Sequence, residues 1–116
     1  MAMAHTAYDC SPGCPVEATL ELIGGKWKGL VLHHLLEGPQ RFSTLRRRLP
    51  GVSQRMLTKQ LRELEEAGLL TRTVQAAVPL RVDYALTPTG ESLRPVVVAL
   101  RVWGSAWLAR GVARAA

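Results

Sequence analysis

Cys10 and Cys14 stand four residues apart in this 116-residue chain, with His5 and Asp9 close by. Thiolates are zinc ligands, but a tetrahedral site needs four donors, and the usual second ligand pair is missing from the sequence. Oxidation is the other chemistry open to them. In SPGCPVE, Cys14 takes the cap position of a helix, Pro15 the first helical position and Glu17 the first turn. Unpaired amides and the helix dipole there favour a thiolate, while the Glu17 carboxylate opposes it. An oxidant would then attack Cys14, giving a sulfenic acid or a disulfide with Cys10 or with Cys14 of a second subunit. The inert alternative is a small cap residue packed on Trp27 or on the last helix. His33 and His34 lie in a helical stretch with no partner at i+4, a poor arrangement for a metal. His34 shares a side with Trp27 and Val31 and reads as partly buried and hydrogen-bonded, whereas His33 reads as solvent-facing. No nucleophile motif, phosphate-binding glycine loop or pair of acids occurs, so no enzyme chemistry and no cofactor site is legible.

A second set of functional side chains lies in GVSQRMLTKQLRELEEAGLL, residues 51–70. Gln54, Arg55, Thr58, Lys59 and Arg62 fall on one face of a helix. Arg and Lys reach guanine acceptors in the DNA major groove, Gln pairs with adenine, and Thr meets the thymine methyl. Met56, Leu57, Leu61 and Leu64 make the opposite, buried stripe. Pro50-Gly51 turns the chain into this helix, Ser53 is its N-cap, and Gly68 its left-handed C-cap. A solvated surface helix also carries Lys, Arg and Gln, so the flanking segments decide.

The elements around it supply that context. Gly38-Pro39 stops a preceding helix that buries Trp27, Leu30, Val31 and Leu35, and Gly24-Gly25 ends the first helix with its stripe of Val16, Leu20 and Ile23. Arg41-Phe42 reads as a short extended piece. Ser43 then caps a short basic helix with Leu45 and Leu49 inward and Arg46, Arg47 and Arg48 outward, suited to phosphates. Two short helices across a tight turn make a helix-turn-helix, the first crossing the DNA backbone and the second entering the groove. LLTRTVQ and RVDYALT then alternate as strands, so a hairpin follows. That order defines a winged helix, with Arg72 and Arg81 flanking the wing for phosphate or minor-groove contact. The tip, Gln75 to Leu80, is apolar apart from Gln75, so it brings no charge of its own to a minor-groove contact by the wing. Thr87-Pro88 caps a last helix running to about Arg110, where Pro95 is a potential kink. Its stripe Leu93, Val96, Val97, Leu100, Trp103 and Trp107, widened by Val98, Val102 and Leu108, is too broad for one contact. Packing on a second copy through Val96, Leu100, Trp103 and Trp107 would use the excess.

The fold class is thus mainly α with a small β-hairpin, a winged helix-turn-helix flanked by N- and C-terminal dimerisation helices. Residues 1–13 read as a flexible arm, 14–110 as one DNA-binding and dimerisation domain, and 111–116 as a tail. No internal repeat, linker or low-complexity segment interrupts it. Hydrophobic residues at 47% and charged residues at 21% fit a globular chain. The net charge of +6 is unevenly placed: residues 38–81 hold nine basic side chains against Glu63, Glu65 and Glu66. Such a field attracts polyanions. Arg94 and Arg101 interrupt the only long apolar segment, so no membrane span is expected. MAMAHTAYDCSPG shows no signal-peptide pattern, which points to the cytoplasm.

CPVEATLELIGGKW, LLEGPQRFSTLRRRLPGVSQRMLTKQLRELEEAGLLTR, VDYALTPTGESLRP and a late Trp occur in that order. In this set the chain, from Cys14 to about Trp107, resembles the HxlR-type branch of the MarR-like winged-helix regulators. The resemblance implies a homodimeric, sequence-specific transcription regulator of the bacterial cytoplasm, most simply a repressor, on a near-palindromic duplex. It implies a dimer made by the first and last helices, and in some relatives an electrophile- or oxidant-sensing cysteine matching Cys14. The alternatives are a winged-helix module that binds proteins instead of bases, and a regulator that answers to a small ligand.

Overall fold

A computed structural model describes residues 14–115 of the chain, with side chains through Gly111. Cys10 and the arm expected over residues 1–13 lie outside the described residues. Helix α1, Cys14–Ile23, is followed by α2, Lys28–Leu35. Cys14 is the first residue inside α1 and not its cap, so Pro15 and Glu17 both sit within the first turn. Only Cys14 and Ile23 of α1 are buried, and Val16 and Leu20 of the expected stripe are exposed. In α2 the buried residues are Val31, Leu32 and Leu35. Leu30, expected inside, is 42% exposed, because the helix presents Leu32 to the core in its place.

Strand β1, Gln40–Arg41, leads directly into α3, Phe42–Arg48. The cap of α3 is Arg41, which makes no side-chain cap hydrogen bond, so the expected Ser43 cap is corrected. Pairing of Arg41 with Asp83 in the sheet sets the helix start one residue before Ser43. Helix α4, Gln54–Glu66, starts as its sequence dictates, with the Met56 amide donating to Ser53 Oγ at 3.0 Å. Leu57, Leu61 and Leu64 enter the core, but Met56 is exposed. Gly68, at φ +80°, ends the helix in the left-handed region that a glycine adopts without strain.

Strands β2, Leu70–Gln75, and β3, Arg81–Leu86, form the hairpin, and β1 adds to its far side, giving the order β1-β3-β2. The sequence showed β1 as an extended piece without its place in the sheet. Thr87 caps α5, Pro88–Glu91, accepting from the Gly90 amide and donating to the Gly68 carbonyl at 2.6 Å. A side chain at Gly90 would overlap the Leu69 carbonyl, so the wing root and α5 require glycine there. The single last helix expected from Thr87 is in fact two. A turn at Ser92-Leu93 separates α5 from α6, Arg94–Ala115. Pro95 is the second residue of α6, where its missing N–H costs nothing, so it starts the helix and does not kink it. Helix α6 also continues through most of the expected tail.

One core, centred on Leu32, Leu35, Leu45, Leu57, Leu61 and Leu64 with Leu70, Tyr84 and Val97, locks α2, α3, α4, the sheet and the start of α6 together. The helix-turn-helix and the wing are thereby held as one unit. Beyond Val97, α6 leaves the core, and Leu100, Val102, Trp103, Trp107 and Leu108 are exposed. The Trp103 and Trp107 rings stack at 5.7 Å on this outer face. Among the described residues no helix is long and apolar enough to cross a membrane.

Candidate nucleic-acid interface

Helix α4 presents two rows of polar side chains to solvent. Gln54, Thr58 and Arg62, spaced by four, line a cleft of about 700 Å³ between α4 and the hairpin, joined by Arg41, Ser43, Arg72 and Leu80. Ser53, Arg55 and Lys59 line a second, open concavity that shares Gln54, Thr58 and Arg62 with the first. Thr58 Oγ1 donates to the Gln54 carbonyl at 2.8 Å, which commits the hydroxyl proton within the helix. The Ser53 hydroxyl is engaged as the cap. The buried leucine stripe fixes which face of α4 is outward, and the fold brings Gln54, Arg55, Thr58, Lys59 and Arg62 together as expected.

Ion pairing divides the basic residues into two groups. Arg48 Nη1 is 2.7 Å from Glu37, Lys28 Nζ is 2.7 Å from Glu63, and Arg81 Nε is 3.1 Å from Asp83. The Arg48 hydrogen bond and charge hold the Glu37 carboxyl below its ordinary pKa, and Lys28 does the same for Glu63. By contrast Arg41, Arg46, Arg55, Lys59, Arg62 and Arg72 make no salt bridge among the described residues, and Arg47 only reaches Thr44 Oγ1 at 3.3 Å. A cation without a salt-bridge partner keeps its hydrogen-bond donors available to a phosphate, although the Lys59 charge also helps to lower the Glu63 pKa. Arg46 and Arg47 are thus without an ion-pair partner on the exposed side of α3, whereas Arg48 and Arg81 are partly neutralised at home.

The hairpin register separates the two wing arginines. Arg72 lies opposite Tyr84, and Arg81 opposite Gln75. Side chains alternate between faces along a strand, so Arg72 shares the Leu70 and Tyr84 face, and Arg81 the face of Thr73 and Asp83. Both nevertheless line the cleft between α4 and the hairpin. Arg41 is the functional candidate that sequence reasoning missed. Its sole local signal was a positive charge before Phe42. Its place beside the cleft comes from the β1–β3 pairing, a contact across more than forty residues.

Cys14 is 3% exposed, contrary to the accessible thiol expected at the end of a mobile arm. His34 is half-buried as expected, but its Nδ1 is buried without a hydrogen-bond partner, and its backbone carbonyl accepts from Gln40 Nε2. His33, expected in solvent, is half-buried with its ring 5.2 Å from that of His34. Burial first, then the charges of His33 and Arg48, lower the His34 pKa from 6.5 against the opposing pull of Glu37. The unfolded chain then binds more protons than the folded one at pH values between the lowered pKa and 6.5. Stability from this group is complete above that window and falls as the pH drops through it. The urea midpoint should decline on mild acidification, and His34→Gln should flatten that decline. An unchanged slope in the variant would remove His34 as its cause.

Comparison with known proteins gives a family match and close relatives. The HxlR-like helix-turn-helix family model matches residues 22–112. The chain is 47% identical to the HTH-type transcriptional regulator YybR of Bacillus subtilis over 104 residues, covering 90% of this chain and 83% of that protein. The solved structure of the redox regulator HypR in its reduced form is 46% identical, superimposes with a TM-score of 0.79, and spans 88% of this chain and 99% of HypR. Diamide-treated YodB from B. subtilis is 34% identical with a TM-score of 0.66, over 83% of this chain and 93% of YodB.

Proposed function

The chain belongs to the HxlR-like helix-turn-helix family, and we propose that it acts as a two-fold dimer that reads a near-palindromic operator through α4 and responds to oxidation. Regulation of transcription is the work of its relatives, and its winged helix-turn-helix is theirs. The observation that carries base reading is the unpaired set Arg55, Lys59 and Arg62 beside Gln54 and Thr58 on the outer face of α4. Arg46 and Arg47 supply phosphate contacts from the helix that crosses the backbone. Repression follows most simply, because a dimer seated on an operator excludes other proteins from it. The compartment is the one that holds the DNA. A protein-docking face would be neutral or acidic, and α4 offers the opposite over its first two and a half turns. A salt titration against random and genomic duplexes tests the reading. Affinity should fall linearly on a log–log plot for both, with a preference for some genomic fragments. Binding that ignores salt would refute it.

The dimer is placed on α6, with α1 contributing. The support is apolar: Leu100, Trp103 and Trp107 on α6 and Val16 and Leu20 on α1 are all exposed in the single chain. A chain that left this much aromatic and aliphatic surface in water would expose an unusually large patch for a monomer.

The redox response is assigned to Cys14, supported by its place in the first turn of α1 and by the likeness to HypR and YodB. Its burial adds a condition, since the start of α1 must open before an oxidant reaches the sulfur. Diamide takes up two electrons and two protons from a pair of thiols and leaves a disulfide. Wild type should lose operator affinity after diamide and recover it with dithiothreitol, Cys14→Ser should not respond, and Cys10→Ser separates the two candidate pairings. Unchanged affinity in wild type whose thiols are shown to be oxidised would place the signal elsewhere.

A further inference from the structure

Glu37 and Asp83 lie in a further concavity of about 400 Å³ beside β1 and α3, lined also by Arg41, Thr44, Arg48 and Arg81. Arg41 and Arg81 line the cleft between α4 and the hairpin as well, so the two hollows share a rim. A polyanion would meet arginine on both sides of that rim. The carboxylates make the sides unlike. The α4–hairpin cleft sets Arg41, Arg62, Arg72 and Arg81 against Glu65. In the other hollow Glu37 Oε1 accepts from Arg48 Nη1 at 2.7 Å, and Asp83 accepts from Arg81 at 3.1 Å and from Gln75 at 3.0 Å. Glu37 follows the end of α2, and Arg48 is the last residue of α3, in the same run as Arg46 and Arg47. The hydrogen bond and charge of Arg48 hold the Glu37 carboxyl below its ordinary pKa, so it is ionised at neutral pH. Both side chains are exposed, and an exposed ion pair adds little to stability. Its larger consequence is for the charge that α3 offers to DNA.

We propose that Glu37 is a specificity-determining residue of DNA binding, acting through Arg48: its carboxylate withdraws that guanidinium from the phosphates, so α3 grips the backbone through Arg46 and Arg47. The inference rests on the DNA-binding reading above. Binding to random duplex is almost wholly counterion release, so every cation free to follow a phosphate tightens it. At the operator, base contacts from α4 fix the register, and the phosphates meet α3 in one arrangement. A third free arginine on α3 would therefore add more to random sequences than to the operator. Discrimination is the difference between those two affinities, and a cation held back enlarges it. Asp83 extends the same boundary along β3 by engaging Arg81.

The test titrates salt against the full chain on a duplex recovered from binding-site selection and on a random duplex of equal length. Glu37→Gln should bind the random duplex about threefold more tightly, with a log–log salt slope steeper by roughly 0.9, the share of one phosphate. The operator should gain less, so the preference for it falls. Both positions of the pair are exposed, and an unchanged thermal midpoint confirms that the fold is intact. The double variant Glu37→Gln, Arg48→Gln removes both charges and should return to the wild-type slope. Glu91→Gln removes the acid of another surface pair, with Arg94 at 2.8 Å, that lines neither hollow, and it should leave both slopes unchanged. A Glu37→Gln protein with wild-type slope and random affinity overturns the inference and leaves the DNA reading standing. So does an operator that gains as much as the random duplex. A double variant as steep as the single one would mean that Glu37 acts on DNA directly, and an equal change in Glu91→Gln that net charge alone acts; either overturns it. Wild type that ignores salt on both duplexes overturns the DNA reading, and the role of Glu37 falls with it.

Discussion

Replacing Arg55 with alanine is expected to weaken binding to the preferred operator by about 1–3 kcal/mol and to relax selection at one base position in each half-site. Arg55 stands in the first turn of α4, is exposed, and has no acidic partner among the described residues. Its charge and its fork of donors are thus available to guanine acceptors. Arg47→Ala is the contrasting variant. That residue lies on α3, away from the groove-entering helix, so its loss should weaken all sequences alike and reduce the salt slope by roughly one phosphate's share. Binding isotherms on the preferred site and on single-base variants distinguish the two. An Arg55 variant with unchanged affinity and unchanged base preference would mean that α4 does not enter the groove in this orientation.

The double variant Trp103→Asp, Trp107→Asp is expected to be a folded monomer with little operator affinity. Trp103 is 64% exposed, and its ring stacks on that of Trp107 along the outer side of α6, beyond the last core contact at Val97. Neither side chain supports the core, so the thermal midpoint of the monomer should change little. Buried aromatic anchors at interfaces each contribute about 2 kcal/mol or more when truncated, and a buried carboxylate adds a desolvation cost. Sedimentation at micromolar protein measures the outcome. A variant that remains dimeric would move the interface off α6, and one that unfolds would mean the tryptophans belong to the core.

What was legible in the sequence is what local chemistry determines. Ser53, Gly68 and Thr87 function as their residue types predict, since a cap needs only its own helix end. The leucine stripe of α4 fixed the orientation of its polar face, and with it the site. The failures share a physical cause, namely contacts between elements distant in sequence. Ser43 loses the cap because β1 is drawn into pairing with β3. Arg48 and Arg81 are partly neutralised by Glu37 and Asp83, across the fold and along the hairpin. Leu30 and Met56 fit an apolar period yet lie at its edge, where periodicity cannot say which neighbour is covered. Cys14 lies at the helix start, one position inside the expected cap, and its burial depends on packing that a helix signal does not report.

Selection of binding sites from random duplexes addresses the central claim most directly. The account predicts enrichment of a near-palindrome whose half-site centres lie about one helical turn, roughly 34–36 Å, apart, as two α4 helices related by a two-fold axis require. Recovery of no preferred sequence, or of a preferred site without two-fold symmetry, would contradict it.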